Sequence, residues 1–218
     1  MSDARAHGWI DQRVAQELPG LWLSVREVAA PRETEAEPGV ALRLGDLASR
    51  LRGGRAVELR REAVPAAYRV FFRHAGIDPD VQHTPIEAAV LGRLISGGYA
   101  SRGRLDDAML LAVLETSVPV LALDADAVRG ALGIRTARRG ERLGRTERAI
   151  PVGGGKLVIA DADVPVVELF GAPGADVVAG PHTTRLLLAA IAVAGVPDVH
   201  VEEALWTCEE ALGDRSAL

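Results

Sequence analysis

One cysteine, Cys208, is all the sulfhydryl chemistry this 218-residue sequence holds. An intramolecular disulfide and a cysteine-based metal cluster are both excluded. A chain without disulfides fits a reducing compartment, so a cytoplasmic location is expected. Aromatic residues are scarce as well: three tryptophans, two tyrosines and three phenylalanines make up 4% of the sequence. A chain so poor in aromatics has few rings for stacking bases. Long apolar runs are missing. The longest, Leu186 to Val196, falls short of the roughly 20 residues that span a bilayer, so no membrane anchor is expected. The opening MSDARAHGW lacks a basic stretch followed by an apolar one and does not read as a signal peptide. Excess positive charge is absent too. The formal net charge is −5, which removes a chain-wide footprint for nucleic acid but leaves room for a local one.

What is present is apolar bulk. Hydrophobic residues make up 48% and charged residues 25%, enough for one large core or two small ones, with no repeat and no low-complexity tract. The densest part runs from Leu105 to Asp124, LDDAMLLAVLETSVPVLALD. Met109, Leu110, Leu111, Val113 and Leu114 leave no polar face at helical spacing, so the helix is expected to be buried on every side. Asp106 or Asp107 is placed to cap its first turn. Pro119 stops it, and Val120 to Leu123 reads as a buried strand ending in a turn at Asp124.

Ahead of that stretch, helical patterns dominate. A helix is expected over residues 8–18, then a half-buried strand carrying Leu21, Leu23 and Val25. The acidic APRETEAEPG reads as a solvated loop. Helices follow over residues 42–52, from Pro65 to Ala75, and from Pro85 to about Ile95. Tyr68, Phe71 and Phe72 share one face of the second, read as core, with Arg69 and Arg73 on the other side. Thr84-Pro85-Ile86-Glu87 forms a capping box that starts the third. After Asp124, strands dominate: Leu132 to Thr136, Lys156 to Ala160, Val164 to Phe170 and Thr183 to Val193. A helix from Val201 to Leu212 closes the chain. This segregation predicts an α+β fold, its helical N-terminal half packed on a mixed or antiparallel sheet from the C-terminal half. Residues 1–40 are expected to add a helix and strand to a main domain over 41–218.

Few groups offer chemistry. Arg129 to Arg148 holds seven arginines against Glu141 and Glu147. Arginine's planar fork suits phosphate, so Arg135, Arg138, Arg139, Arg142 and Arg145 are candidate RNA contacts; a solvated connection over 138–148 is the plainer reading. His182-Thr183-Thr184 is the candidate catalytic group, because a histidine beside two hydroxyls can position a water. Gly153-Gly154-Gly155-Lys156 lacks the phosphate-loop spacing and leads into a strand, so it reads as a tight turn. Asp161 and Asp163, like Asp124 and Asp126, read as turn caps rather than as a cation site; no metal and no cofactor is expected.

Asp107, Glu115, Pro119, Ala122 and Asp124, continued by VRGALGIRTARRGE, LVIAD and TTRLLL, resemble the editing (B3/B4) domain of the bacterial phenylalanyl-tRNA synthetase beta subunit. The likeness covers residues 20 to 195. It implies a stand-alone, B3/B4-like relative, without ligase activity, that removes an amino acid from tRNA in trans. The resemblance places a ligand pocket at Leu110, Glu115, Leu121, Gly171, Gly174 and Ala189, with backbone N–H groups near Gly171 and Gly174 as an oxyanion hole and aminoacyl-tRNA as partner. It also places Leu110, Leu121 and Ala189 where the family carries asparagine, histidine and glutamate. A pocket so changed would leave a tyrosine hydroxyl unpaired, at about 1–3 kcal/mol, and suits a smaller apolar amino acid. The alternative is a pocket protein without catalysis, binding an amino acid, a small metabolite or a tRNA end.

Overall fold

The computed structural model describes residues 6–32, 35, 37–51, 58–96 and 98–213. The chain is α+β, with helices concentrated before residue 117 and strands after it. It forms two compact units. One combines the chain up to Ala30 with Leu121–Ala189, the other Pro31–Val120 with the chain from Ala190 onward. The division falls after Ala30, Val120 and Ala189.

The first unit is strand-rich. β1 (Ala6–His7), β2 (Trp9–Ile10) and helix α1 (Gln12–Glu17) precede β3 (Trp22–Ala29). The helix expected over 8–18 is thus shortened. Trp9 and Ile10 pair in parallel with Gly133 and Ile134, and Asp11 starts the helix by accepting from the N–H groups of Arg13 and Val14. β3 was expected to be half buried, yet Leu23, Ser24, Val25 and Arg26 are all buried, so both its faces are covered.

β4 (Val120–Asp124) follows Pro119, and the chain continues through β5 (Gly133–Thr136), β6 (Arg142–Leu143), β7 (Ile150–Pro151), β8 (Leu157–Ala160), β9 (Pro165–Glu168) and β10 (Arg185–Ala192). One sheet is ordered β1-β3-β10-β4; a second, mixed sheet is ordered β2-β5-β8-β9. Leu23, Leu123, Ile134, Ile159, Leu186 and Leu188, from both sheets, are among the largest fully buried side chains. The stretch 138–148 is not a plain exposed connection. β6 pairs with β7, and Leu143 is buried in one cluster with Ala137, Val152 and Val158. Gly153 to Lys156 is a tight turn closed by Lys156 N–H on Gly153 C=O, with Gly155 at φ +84°. The turn at Asp161 is held by its own carboxylate, which accepts from the N–H groups of Asp163 and Val164.

Helices build the second unit: α2 (Pro38–Arg50), α3 (Ala63–His74), α4 (Pro85–Ser96), α5 (Arg104–Thr116) and α6 (Asp198–Leu212). Of the acidic stretch expected to be a loop, residues 33, 34 and 36 lie outside the described residues, and its last two, Pro38 and Gly39, already open α2, with the Glu37 carboxylate accepting from the Val40 N–H. α5 lies against α2, α4 and α6, the central place its composition calls for. It ends at Ser117, which takes a left-handed conformation (φ 62°) and donates its N–H to Val113, with Pro119 two residues on. Asp107 does not cap this helix. Its buried carboxylate turns back and accepts from the Ser101 hydroxyl at 2.6 Å and the Arg102 N–H at 3.1 Å. Gly103 is the N-cap instead.

Tyr68, Phe71 and Phe72 of α3 are core, and the Tyr68 hydroxyl donates to the Ile191 carbonyl at 2.6 Å. Burial pushes the Tyr68 hydroxyl pKa well above its usual value. Arg69, expected on the side away from the aromatic stripe, is buried. It donates to Glu87 and Asp80, both at 2.6 Å. Glu87 in turn accepts from the Thr84 N–H, the reciprocal bond of the capping box. The sequence spacing places Arg69 opposite the aromatic stripe, but a nearby carboxylate pair draws it inward. Arg73 stays exposed.

Candidate functional site

The candidate residues divide between the two units. Within the strand-rich one, β4 and the entry to β10 bring Asp124 and Thr183 together. The Thr183 hydroxyl donates to Asp124 Oδ2 at 2.7 Å and accepts from the Gly180 N–H at 2.9 Å. Its two strong hydrogen-bonding roles are filled. His182 and Thr184 beside it are exposed, and the Thr184 carbonyl accepts from the Ala30 N–H. Asp124 Oδ1 accepts from the Asp126 N–H, and Arg185 bridges Asp126 and Glu27. That pairing holds the Arg185 guanidinium pKa above its ordinary value, Asp126 contributing most. The arrangement is a closed network that fixes a strand entry.

Leu121 is half-buried on β4, and Ala189 is fully buried on β10. Gly171 and Gly174 lie in the loop after β9. The Gly171 N–H donates to Glu168 C=O at 2.6 Å, and the Gly174 N–H donates to Val166 C=O at 2.7 Å. Both donors, the pair the resemblance implies for an oxyanion hole, are engaged by backbone carbonyls. A Cβ on Gly174 would stand 3.1 Å from the Leu143 backbone, which accounts for glycine there without a ligand.

The arginine segment is likewise partly spent. Arg135 grips Glu141 with both terminal nitrogens, at 2.7 and 2.8 Å. With the Arg138 N–H, that guanidinium holds the Glu141 carboxyl below its usual pKa. Arg145 lies between Asp161, Asp176 and the Ala127 carbonyl. Neither Arg135 nor Arg145 is turned out for phosphate. Arg142 is exposed, though one nitrogen donates to Ala149 C=O. Arg138, Arg139 and Arg148 are exposed.

Leu110 and Glu115 belong to the helical unit. Glu115 is held by Arg43, at 3.1 and 2.6 Å, and that contact raises the Arg43 pKa. Leu110 is half-buried and lines an open cleft of about 370 Å³. Ala88, Ala89 and Gly92 of α4, Gly98, Tyr99, Ala100 and Arg102 of the following loop, and Asp106, Asp107 and Leu110 of α5 surround it. Short side chains on α4 make the space. Arg102 and Asp106 are exposed and bring one charge of each sign. Asp107 fixes the loop from beneath, as described. This cleft is what reading the sequence missed, Leu110 apart. Its available signal was Ala88, Ala89 and Gly92, small residues about one helical turn apart facing the start of an apolar helix.

No family model matches this sequence. No curated protein matches it either. Among solved structures, the chain is similar to an N-terminal fragment of the phenylalanyl-tRNA synthetase beta subunit from Pyrococcus horikoshii, with 9% identity and a TM-score of 0.43. The match covers 95% of this chain and 48% of the other, so the chain spans about half that fragment's length. Among the described residues no helix is long and apolar enough to cross a membrane. Nor do three His, Cys, Asp or Glu side chains gather there as a metal site.

Proposed function

We propose that this protein is a pocket protein without catalysis, which binds a small amino-acid-like ligand in the α4–α5 cleft. The observation that carries the reading is the cleft's composition: short side chains along α4 and Leu110 on α5, beside Arg102 and Asp106 as its exposed charges. A carboxylate pairs with the Arg102 guanidinium, an ammonium with Asp106, and a short aliphatic chain lies against Leu110. Two further facts favour binding over hydrolysis. The Gly171 and Gly174 donors are engaged by backbone carbonyls, and the Thr183 hydroxyl is engaged by Asp124. A deacylase of the synthetase type would draw on those groups.

The test is a titration of the purified full chain with a panel of free amino acids, followed by NMR of the methyl groups around Leu110. In parallel, charged and mischarged tRNAs are incubated with the protein and loss of the aminoacyl group is measured. One class of amino acid should bind saturably, weakened about tenfold or more by Arg102→Ala or Asp106→Asn, since each removes a charge-assisted contact. The aminoacyl-tRNAs should stay intact. No amino acid shifting the Leu110 signals would end the cleft reading. Hydrolysis that is lost in His182→Ala or Thr184→Ala would replace it with the trans-editing deacylase.

A further inference from the structure

Helix α6 carries five acids, Asp198, Glu202, Glu203, Glu209 and Glu210, and no lysine or arginine. Two of the acids, Glu209 and Glu210, sit in the last turn, where the negative end of the helix dipole makes carboxylates unfavourable. Arg43 offsets part of this through Glu210, at 3.3 Å. The opposite side of the helix is core, with Val201, Leu205 and Cys208 buried. Its outer side presents Val199, Glu203, Trp206 and Glu210 in one stripe at helical spacing. Val199 is 66% exposed and Trp206 57% exposed, in a chain with three tryptophans. An indole face bordered along the helix by Glu203 and Glu210 is shaped for one chemistry above others. A guanidinium stacks on the ring while its fork reaches Glu203, which stands 3.6 Å from His200, and Glu210, already held by Arg43; an aliphatic partner would bring no charge to either acid.

The same chain supplies such a group. The hairpin around β6 and β7 turns out Arg138, Arg139 and Arg148. We propose that the Val199–Glu203–Trp206–Glu210 stripe of one copy docks the exposed arginines of the 138–148 hairpin of a second copy. The contact is heterologous, since two different patches meet, and each copy keeps one patch of each kind for further neighbours. A stripe of four side chains falls well short of the roughly 1,200–2,000 Å² of a standard stable interface, so the association is weak, concentration-dependent and salt-sensitive.

Sedimentation velocity on the full chain, from micromolar to millimolar concentration in low and high salt, tests this. The wild type should gain mass with concentration in low salt and return to the monomer in high salt. Trp206→Ala, Glu203→Arg and the pair Arg138→Glu with Arg139→Glu should each weaken self-association about tenfold, the worth of one desolvated cation–π or charged contact. Circular dichroism and thermal melts confirm that each variant is folded. Mixing Glu203→Arg with the Arg138→Glu/Arg139→Glu variant should restore hetero-association, because the intact hairpin of the first meets the intact stripe of the second. A wild type that stays monomeric throughout overturns the proposal. So does association that both the tryptophan and the arginine variants leave unchanged, or a mixture of the two charge variants that fails to associate while the wild type does. If the arginine pair alters only the binding of tRNA, added as a separate probe, the hairpin is an RNA contact and the docking proposal falls.

Discussion

The Thr183 hydroxyl donates to Asp124 Oδ2 at 2.7 Å while accepting from the Gly180 N–H at 2.9 Å, tying the entry of β10 to the end of β4. Replacing it with the isosteric Thr183→Val leaves both the carboxylate oxygen and the N–H without this partner. The loss should be about 1–2 kcal/mol, read as a lower urea midpoint with an unchanged slope, and Thr183→Ser should recover most of it. Ligand binding at the α4–α5 cleft should not move. A role in holding structure and a role in catalysis part company here, since a group that activates water would show its loss in turnover while stability stayed level.

Trp9 and Gly133 make a second fixed relationship. They are register partners in the parallel β2–β5 pair, and the Trp9 indole N–H donates to the Ala131 carbonyl at 3.0 Å. A Cβ on Gly133 would fall 2.0 Å from the indole ring and 2.4 Å from the Trp9 carbonyl oxygen. Gly133→Ala should therefore push Trp9 outward and cost about 1–3 kcal/mol by overpacking. Tryptophan fluorescence should shift to longer wavelength in the folded state, before any denaturant is added.

How much of this was legible in the residues follows from the reach of each interaction. The α5 helix, its stop at Pro119 and the β4 strand were readable because apolar density and proline act locally. The Thr84–Glu87 cap and the Asp161 turn were readable for the same reason: donor and acceptor lie within three residues. Residues 8–18 misled because Ile10, Val14 and Leu18 have helical spacing, while the strand partners of Trp9 and Ile10, Gly133 and Ile134, are more than a hundred residues away. Arg145 looked solvated because nothing in a run of arginines tells which of them will meet a carboxylate; Asp161 lies sixteen residues from Arg145. The cleft around Leu110 was the least legible. Its walls come from two helices and a loop, and only their packing places Arg102 and Asp106 on the same opening.

The Glu141 carboxylate gives a pH dependence with a definite sign. Its pKa lies below the ordinary value of 4.5, first because of the Arg135 guanidinium and then the Arg138 N–H. Below that ordinary value the unfolded chain takes up a proton at this site before the folded one does. The stabilisation is therefore complete above about pH 4.5 and fades as the pH falls through the depressed folded value. Glu141→Gln should lower stability by no more than about 1 kcal/mol at neutral pH and flatten this part of the acid limb. Urea midpoints measured from pH 7 down to pH 3 on both proteins read the difference.

Asp107 bears on the cleft without exposing its own charge. It is 1% exposed, and its two oxygens hold the Ser101 hydroxyl and the Arg102 N–H. That grip sets the loop that carries Arg102, and it seats the loop on the first turn of α5, where Asp106 stands. Asp107→Ala removes both acceptors and opens a small void, at an expected 1–3 kcal/mol in stability. The more telling consequence is in binding. If the ligand is held by Arg102 and Asp106 together, freeing the loop adds an ordering cost to every binding event, so affinity falls although no contact to the ligand has been removed. Asp107→Asn keeps one oxygen able to accept, and it should lie between the wild type and Asp107→Ala in both stability and affinity. Calorimetric titration of the three proteins below their melting temperatures separates the effects: a loss of affinity in folded Asp107→Ala, with the Arg102 side chain intact, means that the loop's position and not its charge alone makes the site.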